Sequence, residues 1–306
     1  MDMNGDKKKF RLKMLFIAFT LLYLSIYIQK IAIPSTFYDA TGRAVEISER
    51  PQRIVSLAPS ITEILYSLEL GDKVVGVTKF SNYPPEATLK PKVGSYIDLN
   101  VERILTLSPD LVIGTKGGND PKVVTLLEQA GIPVFITDPR NLNGLFETLL
   151  TIGELCGVKD RALILLDDLR ARVKKIINKT KGVYRPKVFL QINLNPIMSV
   201  NRETLHHEII SLAGGRNIMS DASVQYPVLS IEEVIKRAPE IIIISSMERG
   251  GRFEEAKIQW YRWKAIPAVK MGKVYLFDSD LIDRPSPRIV DALEKMAKII
   301  HPTLFK

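Results

Sequence analysis

Short apolar runs alternate with amphipathic helical stretches along most of this chain, and one such unit occurs twice. Asn-Val-Glu-Arg-Ile-Leu-Thr-Leu-Ser-Pro-Asp-Leu-Val-Ile at 100–113 returns as Ser-Ile-Glu-Glu-Val-Ile-Lys-Arg-Ala-Pro-Glu-Ile-Ile-Ile at 230–243. In each copy a capping residue (Asn100, Ser230) opens a short helix, and Glu102 or Glu232 sits in its first turn, where the helix dipole favours a carboxylate. Pro109 or Pro239 stops the helix. The run that follows, Leu111 to Ile113 or Ile241 to Ile244, reads as a buried parallel strand.

Other pieces repeat around this unit. Arg53-Ile-Val-Ser-Leu and Lys187-Val-Phe-Leu-Gln-Ile read as opening strands, each leading to a helix that ends in glycine, Thr62 to Gly71 and His207 to Gly215. Later strands are expected over Pro133 to Asp138 and Lys273 to Asp278. Strands alternating with helices in both halves predict an α/β protein of two similar lobes, each with a largely parallel sheet. The expected domains are an N-terminal segment at 1–36, a first lobe at 52–142, connecting helices at 143–182 and a second lobe at 183–306. No Gly/Ser linker joins the lobes. Instead one helix is read over 143–155 and a second from a cap at Asp160 to about Asn178, with Ala162, Leu165, Leu166, Leu169, Val173 and Ile176 as its apolar stripe. A strut of this kind, roughly 27 Å long, allows small hinge motions rather than a wide clamshell.

With 306 residues, 46% of them hydrophobic, the chain is long enough for two cores. Its net charge of +9 does not form a nucleic-acid footprint. Part of it is the cluster Lys7, Lys8, Lys9, Arg11 and Lys13, and the rest shows no basic block with interleaved aromatics, so no nucleic-acid partner is expected. The cluster precedes Met14 to Gln29, an uncharged run bracketed by Lys13 and Lys30 that spans about 24 Å as a helix. The residues after it make a poor cleavage site and hold no cysteine for a lipid. Signal peptide and membrane anchor are both open readings of residues 1–36, and we favour an uncleaved or inefficiently cleaved anchor, lysines inside, the chain from about residue 35 facing the extracytoplasmic side of the cell membrane. Cys156 is the single cysteine, which excludes an intrachain disulfide, and its apolar neighbours make it a buried core residue.

In parallel sheets, ligands gather at the carboxyl ends of the strands, and the crevice between two lobes is the expected pocket. The segments leaving those ends carry Tyr83 in Ser81-Asn-Tyr-Pro-Pro85, Tyr96 in Gly94-Ser-Tyr-Ile-Asp98 and Tyr226 in Val224-Gln-Tyr-Pro227. They also include Thr115 to Asn119, Asn193 to Pro196 and Asp278 to Arg288. Three tyrosines in loops stiffened by Pro or Gly suit flat walls with a polar tip.

These loops, with Asn100-Val-Glu-Arg-Ile, Ser108-Pro-Asp-Leu-Val-Ile, Gly117-Gly-Asn, Gly214-Gly-Arg-Asn-Ile, Ser230-Ile-Glu-Glu-Val and Arg284-Pro-Ser-Pro-Arg-Ile, resemble the cobalamin-binding extracytoplasmic component of ABC importers. That group belongs to a helical-backbone class that also binds ferric siderophores and haem. The resemblance covers about residues 52–300. It implies a monomeric binding protein, not an enzyme, that captures a corrinoid and delivers it to an ABC permease and its ATPase; the alternative ligand is a ferric siderophore or haem. It places Tyr83, Tyr96 and Tyr226 on the corrinoid and has Asp280 and Arg284 reaching its polar side groups. Cobalamin-binding relatives often carry tryptophan at the positions of Tyr96 and Tyr226 and an aromatic at that of Thr115. Arg284 has a second reading, a salt bridge to Asp280 or Asp283. The resemblance also implies that Glu102 and Glu232 dock on basic residues of a two-fold permease, beside the plain reading of favourable dipole placement.

Other chemistries find little support in the residues. His206 and His207 are adjacent, so on a helix they point about 100° apart, and no convergent His/Asp/Glu cluster for a metal can be assembled. A surface or capping role fits them better than axial ligation of haem or cobalt. A hydrolase or chelatase using the same crevice remains the remote alternative, but no nucleophile elbow, zinc helix or phosphate loop is present. Gly117-Gly118 reads as a strand-to-helix turn, and Trp260-Tyr-Arg-Trp263 as helix packing on the second lobe. No cofactor is expected.

Overall fold

The computed structural model describes Met14 and residues 35–47, 49–245 and 251–305. The apolar run read as an anchor, Met14 apart, lies outside the described residues, and among them no helix is long and apolar enough to cross a membrane.

The repeat in the sequence is a repeat in topology. In the first lobe β3 (Ile54–Ser56), β4 (Val74–Gly76), β5 (Leu111–Thr115) and β6 (Val134–Thr137) form a parallel sheet in the order β4-β3-β5-β6. In the second, β7 (Lys187–Gln191), β8 (Arg216–Asn217), β9 (Ile241–Ser245) and β10 (Val274–Phe277) form a parallel sheet in the order β10-β9-β7-β8. Either way the second strand flanks the first on one side and the third and fourth follow on the other, which creates a switch point beside the first strand. β5 and β9 are buried along their whole length, as continuous apolar runs between two layers must be.

Local chemistry repeats with the topology. Asn100 accepts a hydrogen bond from the Arg103 N–H at the start of α2 (Val101–Thr106), and Ser230 accepts one from the Glu233 N–H at the start of α7 (Ile231–Arg237). Ser108 and Ala238, each just before its proline, take left-handed backbone angles with φ of 44° and 50°. The acid after each proline then grips the chain entering the first strand. Asp110 accepts from the backbone N–H groups of Gln52 and Arg53 at 2.7 and 2.9 Å, and Glu240 accepts from the Lys187 N–H at 2.8 Å. The proline and acid of the repeat thus both stop a helix and set the register of the neighbouring strand.

Between the lobes run α4 (Leu142–Leu155), capped by Asn141, and α5 (Lys159–Thr180). Asp160 is not the cap of α5, as the sequence led us to expect. Gly157, at φ +70°, turns the chain so tightly after α4 that the next helix starts at once, with Val158 as cap and Asp160 in the first turn, favourable to the dipole. Its expected stripe is buried at Ala162, Leu166, Leu169, Val173 and Ile176, whereas Leu165 is partly exposed. That stripe packs on α4, on α6 (Leu205–Leu212) and on α11 (Ile289–Ile300). Leu149, Leu166, Ile209, Leu293 and the strand residues Ile54 and Val188 belong to one continuous core that reaches from lobe to lobe. Arg172 adds a pair of ion contacts from α5 to Glu294 (2.9 Å) and Asp291 (2.5 Å) on α11.

A hairpin of β1 (Ser35–Tyr38) and β2 (Ala44–Ile47) precedes the first lobe. The buried Asp39 carboxylate accepts from Thr41, Arg43 and the Ile136 N–H, fastening this hairpin to β6 at the edge of the first sheet. The remaining helices are α1 (Pro59–Ser67), α3 (Pro121–Gln129), α8 (Gly251–Trp260), α9 (Pro267–Lys270) and α10 (Ser279–Ile282).

Candidate functional site

Segments that follow strand ends of the two lobes meet, Asn82 with Asp280 and Glu63 with Arg284, and the crevice expected between the lobes is bounded by these loops. Tyr96 belongs to the first lobe. Its hydroxyl is 3.0 Å from the Thr115 hydroxyl at the end of β5, and its carbonyl accepts from the Asn119 side chain at 3.0 Å. Asn119 also donates to the Leu57 carbonyl and accepts from the Thr115 N–H, tying three strand-end loops together. Gly118 serves this ring directly: a Cβ there would lie 1.8 Å from the Tyr96 ring. The Gly117-Gly118 pair is therefore more than a turn, and sequence reasoning alone gave its second glycine no partner.

Tyr226, half-exposed, comes from the second lobe on a loop zippered to the segment after β7, with the Ser199 N–H donating to Pro227 and the Asn201 N–H to Gln225. Burial pushes the Tyr226 hydroxyl above its ordinary pKa. Asp283, Tyr96 and Asp138 push the same way and Arg140 opposes them, so Tyr226 is within electrostatic reach of Tyr96, Asp138 and Arg140 on the opposite lobe.

Tyr83, Asp280 and Arg284 form a second, connected group. Asp280 accepts from Arg284 at 2.6 Å and from the Asn82 side chain at 2.9 Å. Arg284 is 8% exposed, and each of its terminal nitrogens donates twice: Nη1 to Glu63 (2.9 Å) and Asn82 (2.7 Å), Nη2 to Asp280 and the Phe80 carbonyl (3.3 Å). The salt bridge to Asp280 is present; the Asp283 carboxylate instead meets His206 Nε2 at 2.8 Å and the Ser245 hydroxyl at 3.4 Å. Tyr83 has the Arg288 guanidinium 3.8 Å from its ring centroid, so one face of that ring is covered.

Three members of this group escaped sequence reasoning: Glu63, Asn82 and Arg288. Glu63 is buried, and burial pushes its carboxyl above the usual range, opposed by the Ser286 hydroxyl, Arg284 and Arg288. A signal existed in the repeat, since Glu63 and Glu208 follow Thr62 and His207 at matching places. Glu63 crosses to the other lobe, and Glu208 reaches the connecting helix α4 by accepting from the Leu142 N–H at 2.8 Å.

Neither adjacent histidine presents a nitrogen for axial ligation. His206 Nε2 is held by Asp283 and its Nδ1 is buried without a partner, while His207 meets Ser211 and Asn217 with its two nitrogens. Among the described residues no group of three or more His, Cys, Asp or Glu side chains could hold a metal ion.

A cavity of about 680 Å³ opens at the end of β7, and its lining comes entirely from the second lobe. Gln191, Asn195, Glu255, Gln259, Trp260 and Trp263 are among its walls. Trp260 is the packed tryptophan, donating to Gln191 at 2.8 Å and meeting Phe189 edge-on, whereas Trp263 stays 40% exposed. α8 ends at Trp260, and Trp263, beyond it, lines the cavity together with Glu255, Ala256 and Gln259 of that helix. Glu102 and Glu232 are exposed in the first turns of α2 and α7. Glu232 is held below the usual carboxyl range by its own N–H and the Ser230 hydroxyl.

Comparison with known proteins matches residues 54–281 to the periplasmic binding protein family. A protein of Vibrio campbellii named vitamin B12-binding protein is 34% identical over 271 residues, 87% of this chain and 94% of that relative. The crystal structure of the periplasmic vitamin B12-binding protein of Vibrio cholerae superposes with a TM-score of 0.72 at 31% identity, covering 83% of this chain and 98% of that one. A periplasmic heme-binding protein from Roseiflexus superposes with a TM-score of 0.75 at 26% identity, covering 83% and 99%.

Proposed function

The chain belongs to the periplasmic binding protein family, and from that premise we propose that it captures cobalamin outside the cytoplasmic membrane and delivers it to an ABC permease and its ATPase. What supports this reading is that the chain is about a third identical to proteins named for vitamin B12 binding and carries Tyr96 and Tyr226, one from each lobe, within electrostatic reach of each other. Flat aromatic faces with polar tips suit a large, flat ligand fringed with amides. In this reading Tyr83 meets the ligand edge with its uncovered face. Asp280 and Arg284 act as a preformed polar pair at the rim, with the arginine's terminal donors already engaged by the protein. The protein works by binding and release and catalyses no reaction.

Exposed Glu102 and Glu232, at equivalent helix starts of the two lobes, are the docking points for basic residues of a two-fold permease. A single copy of the chain suffices for this, and the run 14–29 tethers it to the membrane. A second reading, a haem or ferric siderophore ligand, draws on the heme-binding neighbour and on Thr115 standing where an aromatic would favour cobalamin. Titrating the full chain calorimetrically with cobalamin, haem and ferric siderophores in parallel, with visible spectra, tests both. Saturable one-to-one binding of cobalamin alone supports the first reading; binding of haem or a siderophore in its place supports the second, and recovery of altered ligand would make the protein an enzyme.

A further inference from the structure

Glu63 stands on α1 of the first lobe with 3% of its surface exposed, yet its carboxylate is met by the second lobe's segment 284–288. Ser286 Oγ donates to it at 2.5 Å, Arg284 Nη1 at 2.9 Å and Arg288 Nη1 at 3.2 Å. Those two arginines also contact the candidate ligand residues Asp280 and Tyr83. Arg284 holds Asp280 and Asn82, and Arg288 lies over Tyr83.

We propose that Glu63 is a positioning residue of the binding crevice, orienting Tyr83 through Arg288 and Asp280 through Arg284 without touching ligand itself. The inference rests on the crevice being the ligand site proposed above. Its physical basis is the strong demand of a buried carboxylate for cationic partners: removing either side of such a pair leaves a charge uncompensated in a poorly solvated place. Glu63 therefore fixes two long side chains that would otherwise sample many rotamers, so that their ordering is complete before ligand arrives. Glu208, the equivalent residue of the second lobe, leaves its lobe for the connecting helix α4, where it takes a backbone N–H instead of an arginine. The repeat supplies two equivalent carboxylates, and of the two only Glu63 meets arginines that touch Asp280 and Tyr83.

The test uses the full chain and the variants E63Q, R288K and Y83A, singly and combined, with cobalamin as probe. E63Q should raise the Kd for cobalamin at least tenfold. It should also shrink the penalty of Y83A at least fivefold, because Glu63 and Tyr83 then act on binding through one path. Penalties that add within twofold would overturn the proposal, as would an unchanged Kd in E63Q. If E63Q does not fold, E63D, which keeps the charge but draws it back from the arginines, enters the same cycle with the same expectation. A ligand-free measurement separates this proposal from the functional reading. In protein carrying 3-fluorotyrosine, E63Q and R288K should both move the Tyr83 fluorine resonance, assigned with Y83F, and leave that of Tyr66, one turn from Glu63 on α1, in place. An unmoved Tyr83 resonance, or a Tyr66 resonance that moves as far, refutes positioning whichever ligand binds. Absence of cobalamin binding by the unmodified chain refutes only the functional reading, and the resonance then decides the proposal.

Discussion

Replacing Gly118 by alanine tests the first-lobe wall with an internal control beside it. An alanine Cβ at 118 would lie 1.8 Å from Cζ, 1.9 Å from Cε1 and 2.2 Å from the hydroxyl of Tyr96, so the ring must leave its place. Leaving breaks the 3.0 Å contact with the Thr115 hydroxyl, about 0.5–1.5 kcal/mol for an ordinary hydrogen bond. It also forces a side chain packed against the core off its rotamer, another 0.5–1.5 kcal/mol or so. The stability cost is therefore ~1–3 kcal/mol. If Tyr96 is a wall for the ligand, binding weakens by a similar ~1–3 kcal/mol, roughly 5- to 150-fold, as an aromatic contact is displaced. Gly117, one residue earlier, has nothing within 4 Å of a Cβ and no positive φ, so G117A should bind normally and fold at least as stably as the parent. Urea unfolding and calorimetric titration of both variants read the two quantities. The double substitution G118A/Y96A adds a decisive comparison. With the ring gone the clash is gone, so G118A should cost almost nothing in the Y96A background. A G118A protein with unchanged stability and affinity, or one equally destabilised with and without the Tyr96 ring, would refute the reasoning.

Four further outcomes are expected. Y96A or Y226A should each weaken cobalamin binding by about 1–3 kcal/mol in calorimetry, with Phe replacements costing less; full affinity in the double Ala variant would move the site elsewhere. E102A/E232A should leave affinity and Tm nearly intact but reduce uptake and ligand-stimulated ATP hydrolysis by the permease in reconstituted vesicles, more so at low salt; normal transport leaves those carboxylates with helix-dipole placement alone. Burial works against the Asp39 carboxylate, but hydrogen bonds from Thr41 and Arg43 outweigh it and hold its pKa below the ordinary 3.8. Its contribution to stability is then full above that value and lost as pH falls through the folded pKa, so D39N should flatten the loss of stability below about pH 4, measured by urea unfolding at each pH. Cys156, whose thiol burial pushes up to about 12, should resist alkylation at pH 8 in the folded protein and react on unfolding; rapid labelling of native protein would contradict its burial.

Much of the architecture was legible because it depends on short-range rules. A capping side chain, a proline and an apolar run are read within a dozen residues, and each maps onto one structural event: the caps at Asn100 and Ser230, and the buried strands β5 and β9. The start of α5 was missed by a residue or two because Gly157 set it through backbone angle, which a side-chain pattern does not report. Tyr83, Tyr96 and Tyr226 were singled out for a related reason, since loops that leave strand ends in a parallel sheet converge whatever their sequence.

What the sequence by itself determined is therefore the repeat, the strand and helix types and the set of loops that meet at the crevice, all of which follow from periodicity and local backbone chemistry. Only the tertiary structure decided which side chains use one another. Glu63 meets Arg284 across 221 residues of chain, Asp280 rather than Asp283 pairs with that arginine, and Gly118 stays small for a ring more than twenty residues away. Such choices turn on distances of a few tenths of an ångström between groups brought together by packing of a shared core, and a buried charge accepts whichever partners that packing places within reach.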